Sequence, residues 1–178
     1  MDTVTEVEMA CMVDAHGGLG IIHRYNSPAD QANLVRRAKL KDTKNVGAAI
    51  GVTGDYLERA QAVVDSGANV LCVDVAHGHH SMMKSALAKL REVFGNSVHI
   101  MAGNVATLEG INDLARWGAN SVRCNIGGGS ICSTRIQTGH GLPGLQTIFD
   151  CAQTEHDEAV GSHDRRQQPH ILREDNVA

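Results

Sequence analysis

Apolar, β-branched segments recur along this chain at nearly constant intervals, and each is followed by a stretch with helical periodicity. Predicted strands begin 23 to 28 residues apart over most of the chain. The tripeptide Gly-Ala-Asn stands twice between a helical stretch and a strand, at residues 67–69 and 118–120. The strand segments are apolar on both faces, as in strands buried within a parallel sheet. Repeated strand–helix units predict an α/β fold with right-handed crossovers.

We predict five strands and five helices. The strands are predicted at residues 18–23, 46–52, 70–73, 98–103 and 121–126. The helices are predicted at residues 28–40, 55–66, 81–93, 108–117 and 145–153. Ser27 as N-cap and Pro28 at the first helical position mark the start of the first helix. This order is typical either of an incomplete (β/α)8 TIM barrel with about five units or of an open doubly wound sheet.

The composition changes near residue 157. Residues 1–157 carry the strand–helix pattern, and we assign them to one partial barrel domain. Residues 158–178 are polar and show no periodicity, so we expect a disordered or foreign tail outside the fold. Within this tail, Pro169 cannot donate a ladder hydrogen bond, and the apolar pair Ile171–Leu172 is too short to anchor a strand.

Composition excludes several classes of function. A net charge of −4 and only five aromatic residues argue against a nucleic-acid partner. No run of 18 apolar residues occurs, so we expect no membrane span. The five cysteines are scattered without a Cys-x-x-Cys pair, which argues against a disulfide framework and indicates a reducing, cytoplasmic compartment. Among ten histidines only His77, His79 and His80 cluster, which is insufficient for a zinc site.

The segment from Asn125 to Arg135 is the most informative for chemistry. It follows a predicted strand and contains three consecutive glycines, whose backbone can approach a ligand closely and present N–H groups to an anion. Cys132 follows the glycines within reach of whatever the loop holds. A phosphate-binding loop beside a thiol would present a nucleotide to a nucleophile. The alternative is a flexible glycine turn with an incidental cysteine.

The glycine–cysteine segment resembles the active-site loop of the IMP dehydrogenase/GMP reductase family, with its Gly-x-Gly-Ser-[Ile/Val]-Cys-x-Thr core. Further segments resemble that family in the same order, over roughly residues 1–157. They are residues 1–6 (Met-Asp-Thr-Val-Thr-Glu), 17–24, 74–79 (Asp-Val-Ala-His-Gly-His), 102–107 and 134–143.

The resemblance implies roles in catalysis and substrate binding. Cys132 would attack C2 of a purine nucleotide, and Thr134 would help to activate water or ammonia. Ser130 would hold the nucleotide phosphate, and Asn104 would lie near the base or ribose. The remaining substrate-binding residues that the resemblance implies are Gly129 and Met1.

The resemblance also implies a cofactor site and a cation site. Asp74 would orient the nicotinamide ribose of NADPH or NAD, with Ala76 and Gly78 beside it. A monovalent cation, usually potassium, would be held by backbone carbonyls of Gly127, Gly129 and Cys132. The family is homotetrameric, so the resemblance implies the same assembly.

Two branches of the family remain open. Residues 39–45 run directly into the next strand, with no room for the paired regulatory module found in most IMP dehydrogenases. This favours an NADPH-dependent GMP reductase or an NAD-dependent IMP dehydrogenase without that module, and of these two we choose the reductase. Asn125 stands where the family usually has glycine, and Gly144 where glutamine is common. Because the family's first and last strands have no counterpart in this sequence, a catalytically inactive barrel fragment is a third hypothesis.

Overall fold

Parallel strands that alternate with helices make up the computed structural model of this chain, which describes residues 2–129, 132–139 and 141–152 and the backbone of residues 170–172. The strands are β1 (Gly20–Ile22), β2 (Val46–Ile50), β3 (Val70–Asp74), β4 (His99–Val105), β5 (Ser121–Cys124) and β6 (His170–Leu172). The helices are α1 (Val7–Ala15), α2 (Pro28–Lys39), α3 (Tyr56–Asp65), α4 (Ser81–Phe94), α5 (Leu108–Arg116), α6 (Thr134–Thr138) and α7 (Gly144–Cys151).

The strands form one sheet whose spatial order follows the chain order from β1 to β6, and every neighbouring pair is parallel. An open doubly wound sheet contains a point where the strand order reverses. None occurs among the described strands, so the arrangement is that of successive barrel units. In such a sheet the carboxyl ends of all strands meet along one edge, which is where barrels carry their functional residues.

Side chains alternate between the two faces of the sheet. Leu71 and Val73 of β3 point toward the helices and are fully buried there, together with Leu87 of α4 and Leu114 of α5. On the opposite face, Val70 and Cys72 of β3 and Met101 of β4 form a second apolar cluster. Asp74 continues this inner row to the carboxyl edge, because residues two apart share a face.

Local sequence signals explain where several helices begin. The hydroxyl of Ser27 accepts a hydrogen bond from the Asp30 N–H, and Pro28 occupies the first helical position, as predicted. Thr107 caps α5 in the same way by accepting from the Gly110 N–H. Each cap satisfies a backbone donor that the first helical turn leaves without a partner.

The repeated Gly-Ala-Asn tripeptide has the same structure at both positions. Gly67 and Gly118 adopt positive φ angles of 104° and 111°, which end the preceding helices. Asn69 brackets Val46 of the neighbouring strand, donating from its N–H to the carbonyl at 3.1 Å and accepting the Val46 N–H on its side-chain oxygen at 2.8 Å. Asn120 brackets Ile100 identically, with both distances at 2.8 Å.

The structure differs from the sequence prediction at several boundaries. The first strand spans residues 20–22 rather than 18–23, and β5 ends at Cys124 because Asn125 turns the backbone with a φ of 105°. Helices α1 and α6 were not predicted. The N-cap residue of α1, Glu6, makes no side-chain cap, and α6 has only five residues, so neither helix carries a strong sequence signal.

The largest difference concerns the tail. The backbone of His170–Leu172 forms β6 and pairs in parallel with residues 121–123 of β5. The prediction that Ile171–Leu172 is too short to form a strand is therefore wrong. The prediction treated the pair in isolation, whereas the edge of β5 offers N–H and C=O groups to which even three residues can bond. The rest of the predicted tail lies outside the described residues.

Candidate functional site

The residues that the sequence analysis proposed for chemistry come together at the carboxyl edge of the sheet. Asp74 is the last residue of β3, and Asn104 lies near the end of β4. The cysteine loop leaves the end of the adjacent strand β5 and leads to α6. Because β3, β4 and β5 are neighbours in the sheet, residues more than 50 positions apart in the sequence share one rim.

Asp74 is held by an arginine on the same row of the sheet. Asp74 pairs in register with Gly103 of β4, and Gly103 pairs with Arg123 of β5. Arg123 Nη1 donates to Asp74 Oδ1 at 3.1 Å across the glycine. A Cβ at Gly103 would lie 2.7 Å from the Cβ of Arg123, so a side chain at this position would displace the arginine. The ion pair therefore depends on the glycine between its partners.

A second arginine approaches Asp74 from the other side. Arg24, just after β1, donates from Nη2 to the backbone carbonyl of Asp74 at 3.4 Å. Its guanidinium lies beside Gly51, where a Cβ would be 3.6 Å from Nη1. Sequence reasoning missed both arginines. The available signal was a charged residue inside or directly after an otherwise apolar strand, in Ser-Val-Arg-Cys and in Ile-Ile-His-Arg.

The loop after β3 extends the pairing with β4. Asn104 donates its N–H to Val75 O at 3.1 Å, and Gly78 donates its N–H to Asn104 O at 2.7 Å. A Cβ at Gly78 would lie 3.0 Å from Asn104 O, so glycine allows this close approach. Ala76 is exposed on the rim between them. The predicted cofactor residues Asp74, Ala76 and Gly78 thus lie in one short segment beside Asn104.

The cysteine loop brings the two predicted catalytic side chains into contact. The Cys132 thiol donates to Thr134 Oγ1 at 3.2 Å, and both residues are partly exposed. The Cys132 N–H donates to Gly129 O at 3.1 Å, which closes a tight turn. Two further predicted substrate residues, Ser130 and Met1, lie outside the described residues.

The loop supplies carbonyl oxygens, the ligand type that suits a monovalent cation. Of the three predicted cation ligands, however, Gly129 O already accepts hydrogen bonds from the Cys132 N–H and, at 3.3 Å, from Arg135 Nη2. A cation at this oxygen would face a guanidinium, and like charges repel at short range. A cation at Gly129 O would therefore require Arg135 to move away from this carbonyl.

Three other cysteines are less suited to chemistry than Cys132. Cys72, Cys124 and Cys151 are fully buried, and burial raises the pKa of the Cys72 thiol to about 11. Burial also raises the pKa of Cys151. Cys11 is partly buried and accepts a hydrogen bond from the Thr43 hydroxyl at 3.0 Å. All five lie in described parts of the chain, and none of them forms a disulfide.

The histidine cluster has structural contacts. His80 caps α4 by accepting from the Met82 N–H at 3.2 Å, and His79 Nε2 lies 2.9 Å from Asp113 Oδ2. Within the described residues, no three His, Cys, Asp or Glu side chains come close enough to hold a metal ion. The same residues contain no helix that is long and apolar enough to cross a membrane.

Comparisons with known proteins identify the family of this chain. Residues 1–162 match the family model described as IMP dehydrogenase / GMP reductase domain. The inosine-5'-monophosphate dehydrogenase of Nitrosopumilus maritimus is 42% identical over 123 residues, which are 67% of this chain and 26% of that protein. The GMP reductase of Leishmania major is 47% identical over 109 residues, 61% of this chain and 22% of that protein.

A solved structure shows the same fold. The crystal structure of inosine 5' monophosphate dehydrogenase from Legionella pneumophila superposes with a TM-score of 0.79 at 42% sequence identity, and the match covers 87% of this chain and 46% of that one. Of the two folds that the sequence left open, the likeness selects part of a TIM barrel. The chain spans about a quarter of the length of the two curated relatives. With a family model matched over most of its length, the chain belongs to the IMP dehydrogenase/GMP reductase domain family.

Proposed function

We propose that this chain contributes the cysteine half of a purine-nucleotide oxidoreductase site that acts at C2 of the base. The observation that supports this most directly is the 3.2 Å contact between the Cys132 thiol and Thr134 Oγ1, on the rim that also carries Asp74 and Asn104. A thiol paired with a hydroxyl beside a glycine loop suits nucleophilic attack on a bound nucleotide.

In this proposal, the reaction is the reduction of GMP to IMP. Cys132 Sγ forms a bond to C2, the 2-amino group takes up a proton and leaves as ammonia, and a thioimidate remains. A nicotinamide cofactor, NADPH in this branch, would when bound supply the hydride that C2 accepts. The C–S bond then breaks and the sulfur returns as thiolate. Thr134, whose hydroxyl contacts the Cys132 thiol, would exchange a proton with the departing amine.

The oxidation of IMP with NAD and water is the competing function. Relatives named as either enzyme match this chain at similar identity, 42% for the dehydrogenase and 47% for the reductase. The short connection between α2 and β2, six residues from Leu40 to Asn45, holds no regulatory module, which supports the reductase or a dehydrogenase without that module.

The residues present fit the ribose of a nicotinamide cofactor. The Asp74 side chain is 43% exposed, and Arg123 fixes one of its oxygens, so the carboxylate can accept hydrogen bonds from ribose hydroxyls. Ala76 is exposed beside it, whereas Gly78 is buried against Asn104. We further propose that potassium binds the carbonyls of Gly127, Gly129 and Cys132, that the assembly is a homotetramer, and that the compartment is the reducing cytoplasm.

The test is the reactivity of Cys132 toward iodoacetamide, followed by peptide mapping. Cys132 is expected to label fastest of the five cysteines, and GMP and IMP are expected to protect it, whereas CMP is the control without a purine. Consumption of NADPH with GMP, compared with formation of NADH with IMP, separates the two reactions. Faster labelling of Cys11, or equal protection by CMP, would overturn the proposal.

A further inference from the structure

His79 connects the segment between β3 and α4 to the neighbouring helix α5. Its Nε2 lies 2.9 Å from Asp113 Oδ2. A carboxylate oxygen can only accept a hydrogen bond, so the imidazole is the donor. The two side chains are 26% and 25% exposed, and a contact that is largely shielded from water is stronger than one on the open surface.

The ring of His79 also contacts the end of α5. Its centroid lies 5.7 Å from that of the Trp117 ring, with 35° between the ring planes, and Trp117 is the residue that closes α5. Aromatic pairs at this separation attract each other. From α4, Lys84 Nζ lies 6.0 Å from the centroid of the same tryptophan ring. His79 is therefore held at α5 by a hydrogen bond and by a ring contact.

This side-chain contact begins where the pairing of the segment with the sheet ends. Among the described residues, the last backbone hydrogen bond from the segment to β4 joins the Gly78 N–H to Asn104 O at 2.7 Å. His79 follows directly, and α4 begins two residues later at Ser81. The hydrogen bond to Asp113 thus fixes the segment just beyond its last bond to the sheet.

The residues proposed for the cofactor lie immediately before this contact. Asp74, Ala76 and Gly78 occupy the end of β3 and the first part of the segment. Groups that bind a ligand need support from residues that do not touch it. We propose that Asp113 is a positioning residue for the cofactor segment: through His79 it fixes residues 74–78 at the rim. This inference rests on the proposed cofactor role of those residues.

Hydrogen exchange tests the anchoring in the full chain without a cofactor. Asp113→Leu keeps a branched side chain but removes the acceptor. Residues 75–80 are then expected to exchange about tenfold faster, as for the loss of one hydrogen bond to a charged group. Asp113→Asn keeps an oxygen acceptor and should restore most of the protection. Arg116→Ala breaks the other ion pair of Asp113, at 3.1 Å, and is the matched control that should leave the exchange unchanged.

Calorimetric titration with NADPH and with NAD tests the functional consequence. Asp113→Leu and His79→Ala are each expected to raise the Kd of the cofactor roughly tenfold. The double variant should raise it no further, because both changes remove the same contact. GMP has no nicotinamide ribose, so its Kd should be the same in the parent protein and in every variant.

Three results would overturn the inference. They are unchanged exchange of residues 75–80 in Asp113→Leu, equally fast exchange in Asp113→Asn, and additive effects of Asp113→Leu and His79→Ala on the Kd of the cofactor. If the parent protein binds neither NADPH nor NAD, the proposed cofactor role fails instead, and the exchange rates still decide whether Asp113 holds the segment. Unchanged exchange of β3 and β4 in each variant shows that the sheet is folded.

Discussion

Asp74 lies between two arginine side chains, each of which reaches it past a glycine. Arg123 contacts the carboxylate over Gly103, and Arg24 contacts the backbone carbonyl beside Gly51. Gly51 and Gly103 lie beside these charged residues and carry no side chain. Arg24, Asp74 and Arg123 can therefore share one rim without steric conflict. The carboxylate is thereby held in one orientation, which is what a group that binds ribose hydroxyls requires.

The ion pair between Asp74 and Arg123 should be measurable as a coupling energy. In a double-mutant cycle with Asp74→Asn and Arg123→Gln, we expect a coupling of about 0.5–1 kcal/mol in the free energy of urea-induced unfolding, a low value because Asp74 is 43% exposed. The surface pair Lys89–Glu92 is the control and should give less. Strictly additive effects of Asp74→Asn and Arg123→Gln would show that the pair contributes nothing.

Arg135 should compete with potassium for Gly129 O, because its guanidinium donates to that carbonyl at 3.3 Å. Replacing it by alanine removes the competing charge. We therefore expect the alkylation rate of Cys132 in Arg135→Ala to respond to KCl at lower concentrations than in the parent protein. Choline chloride keeps the ionic strength constant, and Arg135→Lys is the charge-conserving control. Identical responses in all three proteins would contradict the competition.

Sequence reasoning found part of this site for a physical reason. Asp74, Asn104 and the loop to Cys132 each follow a predicted strand, and parallel strands bring their carboxyl ends to one edge. The roles of Arg24 and Arg123 depend on register, because Arg123 meets Asp74 only when both pair with Gly103. Strand boundaries from a sequence pattern are uncertain by two or more residues, and a one-residue shift would turn Arg123 to the other face.

Among the elements, the two Gly-Ala-Asn corners stand out because one tripeptide performs the same task twice. The glycine ends a helix, the alanine is buried, and the asparagine brackets the first residues of the neighbouring strand. The repetition was visible in the sequence. The function of the tripeptide could not be predicted from the sequence, because its hydrogen-bond partners Val46 and Ile100 lie about 20 residues upstream.

Removing either asparagine should destabilise the sheet. Asn69→Ala leaves the Val46 N–H without its side-chain acceptor, and we expect a loss of about 1–2 kcal/mol in the free energy of unfolding. Asn120→Ala should cost more, since the same oxygen also accepts from Arg91. The exposed helical Asn33→Ala is the control; it loses only an exposed hydrogen bond from Arg36 at 2.8 Å, and its free energy of unfolding should change by less than about 0.5 kcal/mol. Urea denaturation measures all three, and equal stability of Asn69→Ala and Asn33→Ala would refute the argument.

At the scale of the whole molecule, β6 is a three-residue strand at one edge of the described sheet. Only three residues of β6 pair with β5. Deletion of residues 158–178 is therefore expected to lower the free energy of unfolding by less than about 1 kcal/mol. The core variant Leu87→Ala should cost about 2–5 kcal/mol in the same assay. A deletion that costs as much as Leu87→Ala would show that the segment is part of the core.

The buried thiol of Cys72, on the inner face of the sheet, makes the free energy of unfolding depend on pH in the alkaline range. Burial raises the pKa of this thiol from its usual 9.0 to about 11, so the folded protein keeps it neutral where the unfolded chain already ionises. The contribution of the neutral Cys72 thiol to the free energy of unfolding is complete below pH 9 and is lost as the pH rises toward 11. Two pKa units correspond to at most about 3 kcal/mol.

The change that isolates this effect is Cys72→Val, which keeps the side chain apolar and similar in size. The free energy of urea-induced unfolding of the parent protein is expected to fall more steeply than that of the variant between pH 9 and pH 11, and to match it in slope below pH 8. Lysines, tyrosines and the other cysteines titrate equally in both proteins and cancel in the difference. Parallel curves across the whole range would mean that water reaches the inner face, and that Cys72 and Met101 are not sealed within it.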